Sequence, residues 1–161
     1  MNKDTIFIMH FFNTPALGLS TKNEHDAHIT FLAHVLCVEK TLDARLLREV
    51  EEIAKNTPEF LVQFGKTDCF GADHDKPVVQ LLKNHEGEKL HHNLLLTVTS
   101  LGLQLGQPHY AGENFRPHVS LPQGTTPPVG SRVIDTISVV VNFNSKERNL
   151  TEVIGNFALE G

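Results

Sequence analysis

Cysteine is scarce in this 161-residue chain: Cys37 and Cys69 are the only two. They make neither a disulfide framework nor a paired metal motif, and they read plainly as reduced thiols in or near the core. Basic residues are outnumbered, 14 Lys and Arg against 19 Asp and Glu, for a formal net charge of −5. That balance excludes a protein that grips duplex DNA or other long nucleic acid through phosphate contacts, which needs a basic face. It leaves room for a small phosphorylated partner or the end of an RNA strand, held by a local positive patch. Long apolar runs are also missing. Residues 5–12 are apolar but far short of a membrane span. They make a poor signal-peptide core, because His10 interrupts them and Asp4 beside Lys3 stands in place of a basic leader. No stretch reads as a linker, repeat or low-complexity tract, and the Pro/Gly-rich segment 122–130 is loop-sized. The expectation is a cytoplasmic protein without membrane contact, monomeric because no exposed apolar stripe is evident. At 40% hydrophobic and 20% charged, residues 1–161 suffice for one domain.

The hydrophobic pattern sketches the elements. Residues 5–12 (TIFIMHFF) are apolar on both faces, as in a central strand. Asn13-Thr14-Pro15 breaks that run, and residues 28–36 (HITFLAHVL) form the next strand. Thr41 is placed as an N-cap with Asp43 in the first turn, ahead of a helix striped by Leu42, Leu46, Val50, Ile53 and Ala54. Asn56-Thr57-Pro58 stops it. Residues 60–70 and 77–82 read as strands. A longer helix from Glu86 carries Leu90, Leu94, Val98, Leu101 and Leu105 on one stripe and ends at Gly106-Gln107-Pro108. Strands at 117–121, 134–143 and 153–159 complete the chain. The order β, β, α, β, β, α, β, β, β predicts an α+β fold, its sheets partly antiparallel and its two main helices packed outside.

Two tripeptides ninety positions apart share one grammar: His28-Ile29-Thr30 and His118-Val119-Ser120. On a strand, side chains at i and i+2 share a face. His28 with Thr30, and His118 with Ser120, each present an imidazole beside a hydroxyl, while Ile29 and Val119 turn the other way. In a chain with ten histidines one such match is unsurprising. Two are more informative, since each lies on a strand in a half that contains one helix. No other histidine here has Ser or Thr two places on. The halves read as two pseudo-symmetric lobes, with both motifs facing the groove between them.

His28-Ile29-Thr30-Phe31-Leu32, followed by a helix, and Arg116-Pro117-His118-Val119-Ser120-Leu121 resemble the two signatures of the 2H (two-histidine) phosphoesterase superfamily. Its best-known branch is the 2′-5′ RNA ligase-like, RNA 2′,3′-cyclic phosphodiesterase family. The resemblance spans most of the chain. It implies a bilobal, pseudo-twofold α+β fold with a central cleft. It also implies metal-independent hydrolysis of a 2′,3′-cyclic phosphate or 2′-5′ phosphodiester of a nucleotide or RNA end. Many members of that branch follow the second motif with a small residue and an arginine, where this chain has Pro122-Gln123.

Opening a cyclic phosphate takes a base to deprotonate water and an acid to protonate the departing ribose oxygen, on opposite sides of phosphorus. Histidine, with an ordinary pKa of about 6.5, does either job near neutral pH. The resemblance implies His118 as base and His28 as acid; the residues themselves do not separate the roles. Thr30 and Ser120 are expected to donate hydrogen bonds to the non-bridging oxygens. Arg116 reads equally as local positive charge or as a solvated arginine. Of the aromatics before the second motif, Phe115 reads as core, and Tyr110 stays open as a base-stacking residue. His25 with His28, His74 between Asp73 and Asp75, and His91-His92 lack the spacing of known zinc motifs, so no metal and no cofactor is expected. His91 and His92 read as exposed mid-helix residues. Two other readings keep the cleft: a hydrolase of a small cyclic oligonucleotide signal, and a non-catalytic module that binds a nucleotide or RNA end.

Overall fold

The computed structural model describes residues 4–20, 26–37, 40–145 and 148–161. Every strand pairing among them is antiparallel, where the sequence suggests a partly antiparallel sheet. The elements are β1 (Asp4–Phe11), β2 (Gly18–Ser20), β3 (His28–Cys37), α1 (Lys40–Lys55), β4 (Phe60–Phe70), β5 (Lys76–Leu81), α2 (His85–Ser100), β6 (Gln104–Leu105), β7 (His118–Ser120), β8 (Ser131–Ile134), β9 (Thr136–Ser145) and β10 (Arg148–Ala158). All the strands expected from the sequence are present. The short β2, β6 and β8 are additions, too brief to show a period in the sequence. The sheet order is β2-β10-β9-β1-β3-β7-β5-β4-β8, with β6 attached to β3. Outward from the β3–β7 seam, β1 and β5 come next, then β9 and β4.

Alternation divides the sheet into two faces. On one face Ile6, Ile8, Ile29, Phe31, Val79, Val119, Val139 and Val141 join a core with Leu46, Val50 and Ala54 of α1 and Leu90, Leu94 and Val98 of α2. Each of the Val, Leu, Ile and Phe side chains contributes about 1.5–3 kcal/mol of burial. Both helices lie on this face, α1 against β3, β9 and β10, α2 against β3 and β4, and they touch each other. The opposite face carries the two motifs and a smaller apolar cluster of Met9, Phe11 and Val140.

The helix ends follow local chemistry. α1 begins at Lys40, before the expected cap, and the side chains of Thr41 and Asp43 lie outside the described residues. It stops where Thr57 Oγ1 donates to the Ile53 carbonyl at 2.6 Å and Pro58 disfavours helical backbone at Thr57. α2 is capped by Asn84, whose Oδ1 accepts from Gly87 N at 2.8 Å. It ends at Ser100 and does not continue to Leu105. Gly102 adopts the left-handed φ of +75° and Leu103 N bonds back to the Val98 carbonyl, which turns the chain out of the helix. Leu105 then pairs with Val35 as part of β6.

A polar latch joins β8, at one edge of the sheet, to the central strand β1 on the core face. His10 of β1 is fully buried. Its Nδ1–H donates to the Thr136 carbonyl at 2.8 Å, and its Nε2 accepts from Arg132 Nε of β8 at 2.9 Å. Arg132 Nη2 also donates to the Phe12 carbonyl, and the guanidinium lies 4.1 Å from the Phe12 ring centre. Burial holds the His10 pKa below the ordinary 6.5.

Candidate active site

The motifs meet at the seam of the sheet. His28 sits directly opposite Ser120, and Ile29 opposite Val119. Residues paired across antiparallel strands share a face, so His28 and Ser120 point the same way. One step further in the same register, Thr30 lies level with His118. Ile29 and Val119 are fully buried in the core, while the two imidazoles and two hydroxyls are all half-buried on the other face. The apolar middle residue of each tripeptide thus anchors its strand, and its polar neighbours are held side by side.

Each histidine is clamped in the same way. His28 Nδ1 lies 2.8 Å from the Asp26 carbonyl and His118 Nδ1 lies 2.9 Å from the Arg116 carbonyl, in both cases two residues back. A carbonyl only accepts, so Nδ1 carries the hydrogen and the basic lone pair sits on Nε2. Burial lowers the pKa of His118 below 6.5, against the raising effect of its bond to Arg116. A neutral His118 near pH 7 has the form a general base needs.

The flanks of the two motifs differ. Beside β3, Phe11 pairs with His28 and Met9 with Thr30. The Phe11 ring is 5.6 Å from the His28 ring, and Met9, Phe11 and Val140 form a small buried cluster with Phe7 and Val153. Beside β7, Val78 pairs with Ser120 and Gln80 with His118. Gln80 Nε2 donates to Asp68 Oδ2 at 2.7 Å. Bonds from Cys69 N and then Gln80 hold the exposed Asp68 carboxyl below its usual range. Phe70 of β4 meets His118 edge-on at 4.7 Å. A register shift between Phe64 and Thr67 bends this strand. Gln80, Asp68, Phe11 and Phe70 carry no motif that marks them in the sequence. Val78 and Gln80 do share a face at i and i+2, but nothing in the sequence says that β5 lies next to β7.

Beyond His118 a hollow of about 210 Å³ is lined by Phe70, Gln80, Lys83, Asn84, Glu88 and Arg116, among others. Arg116 is exposed there, so its side chain supplies positive charge at the rim while its carbonyl holds His118. Tyr110 is exposed and leans on His109. Phe115 packs against the core, as expected. The His91 ring is also stacked on Phe115 at 3.9 Å.

His91 is a correction. It is buried, not exposed. Its Nδ1–H donates to the Phe31 carbonyl at 2.6 Å, and its Nε2 accepts from Gly112 N at 2.9 Å. Burial keeps its pKa below 6.5, which suits a ring that must accept at one nitrogen. It ties α2 to β3 and to the loop that leads into β7. His92 is exposed as expected. His25 lies outside the described residues. Among those residues no three His, Cys, Asp or Glu side chains gather as a metal site. No helix among them is long and apolar enough to cross a membrane.

A family model described as the 2′-5′ RNA ligase superfamily matches residues 13–152. The chain belongs to the 2′-5′ RNA ligase superfamily. The open, antiparallel sheet with two helices on one face is the fold of this two-histidine phosphoesterase superfamily. TT0787 of Thermus thermophilus is similar to the chain at TM-score 0.68 and 16% identity, with 98% of each chain covered. E. coli LigT, solved with NADP+, is similar at TM-score 0.65 and 15% identity, with 100% of each chain covered. LigT has also been solved with 3′-AMP. A search of curated proteins returns no match. Membership of the superfamily places this chain among enzymes of phosphodiester chemistry.

Proposed function

We propose that this protein is a metal-independent phosphodiesterase that opens a 2′,3′-cyclic phosphate or a 2′-5′ phosphodiester of a nucleotide or RNA end. His28 and His118 act as its acid and base, and Thr30 and Ser120 donate to the non-bridging oxygens. The observation that carries this reading is the pairing of the two tripeptides across one seam, His28 opposite Ser120, with each Nδ1 committed to a backbone carbonyl. Two imidazoles fixed in one tautomer supply both proton transfers of an in-line displacement. Two hydroxyls beside them are placed to stabilise charge on the phosphoryl oxygens. The LigT complexes with 3′-AMP and NADP+ support a ligand of nucleotide size. Residues 1–161 are read as one domain built from two related lobes, because the sheet elements are matched on either side of the β3–β7 seam.

A panel of 2′,3′-cyclic mononucleotides, cyclic-phosphate-ended RNA, 2′-5′ oligoadenylate and cyclic dinucleotides tests the proposal. Each is incubated with EDTA, with wild type and with His28→Ala. Turnover of a cyclic phosphate or 2′-5′ bond that survives EDTA and vanishes in the variant is expected. Binding without turnover across the panel would favour a non-catalytic module. Cleavage confined to cyclic dinucleotides would favour a signal hydrolase.

A further inference from the structure

Gln80 leaves the sheet on the same face as His118, directly opposite it on β5, so their Cβ atoms are about 5 Å apart. Its amide has a fixed sense. Nε2 donates to Asp68 Oδ2 at 2.7 Å, and the same carboxylate accepts from Cys69 N at 2.8 Å. A carboxylate only accepts, so the amide nitrogen must face Asp68 and Oε1 is turned away from it. No donor among the described residues is bonded to Oε1. His118 meanwhile commits Nδ1–H to the Arg116 carbonyl, which leaves its Nε2 as an acceptor. Two side chains that share one face on adjacent strands therefore each keep an acceptor, Gln80 Oε1 and His118 Nε2. At the matching place in the other half, opposite His28, stands Phe11, whose side chain has no acceptor.

We propose that Gln80 is a water-positioning residue. Its Oε1 and His118 Nε2 take one hydrogen each of the water that attacks phosphorus, which makes the β7 side the nucleophile side. The inference rests on the proposed function. A water held by both hydrogens has a lone pair left to aim. As its oxygen bonds to phosphorus, the bond from phosphorus to the departing ribose oxygen breaks. One water proton passes to His118 Nε2, and His28 gives a proton to the ribose oxygen. Gln80 keeps its bond to the remaining hydrogen and gains no charge. Asp68 acts through Gln80 by preventing its amide from turning over.

An alcohol nucleophile has one hydroxyl hydrogen and needs only His118. The test is therefore the partition of a 2′,3′-cyclic mononucleotide between hydrolysis and methanolysis in a water–methanol mixture. In Gln80→Leu, hydrolysis is expected to fall about tenfold to a hundredfold. Methanolysis should stay close to wild type, within about threefold, so the ratio of methyl ester to free monophosphate rises about tenfold to a hundredfold. Asp68→Asn, an exposed change, should move the ratio in the same direction by less, and it carries the test if Gln80→Leu melts early. An unchanged ratio, with both reactions lowered together or neither lowered, overturns the role of Gln80 and leaves the proposed function standing. Where neither protein forms the ester, hydrolysis by Gln80→Leu within about threefold of wild type overturns it. A wild-type protein that opens no cyclic phosphate overturns both.

Discussion

The half built around β3 and the half built around β7 repeat the same strand grammar and surround it differently. In both, a histidine and a hydroxyl residue two places on share a face, and Nδ1 is tied to the carbonyl two residues back. Next to His28 stand Phe11 and Met9, part of an apolar cluster. Next to His118 stand Gln80, held by Asp68, and the edge of Phe70. Under the proposed function, what an acid and a base share is the tautomer and the strand, and those are duplicated. What must differ between them lies on the neighbouring strands, β1 and β5. An acid and a base made of the same side chain can be told apart only by their surroundings.

The largest expected effect tests whether the halves are chemically equal. His28→Ala and His118→Ala should each lower the rate of cyclic-phosphate opening by about 10²–10⁴-fold. Steady-state kinetics decides this, and full activity in either variant ends the two-histidine reading. Next come the hydroxyls. Ser120→Ala and Thr30→Ala should each lower kcat by about 10²-fold with little change in KM, the pattern of a donor felt mainly in the transition state. A loss seen only in KM would make them ground-state binding residues.

The flanks should separate the halves in stability. Phe11 is buried in its cluster, so Phe11→Ala should cost about 3 kcal/mol in a urea titration. Phe70 is only half-buried, and Phe70→Ala should cost about 1 kcal/mol or less. Equal losses would show that the two walls are equally packed.

The smallest effect is set by pH. Burial places the folded-state pKa values of His10, His91 and His118 below 6.5. Below about pH 6.5 the unfolded chain therefore binds protons that the folded chain refuses, and acid favours unfolding. The stabilisation is complete above pH 6.5 and is lost as pH falls through the folded values. Melting temperature should therefore drop steadily on acidification across that window. For the same reason the acid limb of kcat/KM, set by His118, should lie below 6.5. A melting temperature that rises on acidification would contradict the lowered pKa values of these three rings.

Much of this architecture is written locally in the chain. Period-two alternation marks both motif strands and the faces of His28, Thr30, His118 and Ser120. The Leu46–Val50–Ala54 stripe and Pro58 mark α1. The end of α2 is harder to read, because Leu101 and Leu105 continue its apolar spacing although Gly102 turns the chain first. The burial of His91 is hidden because its partners are distant: the Phe31 carbonyl is 60 residues away and Gly112 is 21. A polar residue flanking a helix stripe looks the same in sequence whether it meets water or a backbone group. Gln80 is illegible for the same reason, since its meaning depends on which strand lies next to β5.

The latch of Arg132 on His10 bears on how a substrate is received. It fastens β8, from the far edge of the β7 half, to β1 of the β3 half, behind the seam and away from the histidines. Two walls fastened at the back cannot swing apart without breaking these part-buried hydrogen bonds. Such a cleft selects its guest as a fixed gauge does, by the width it already has.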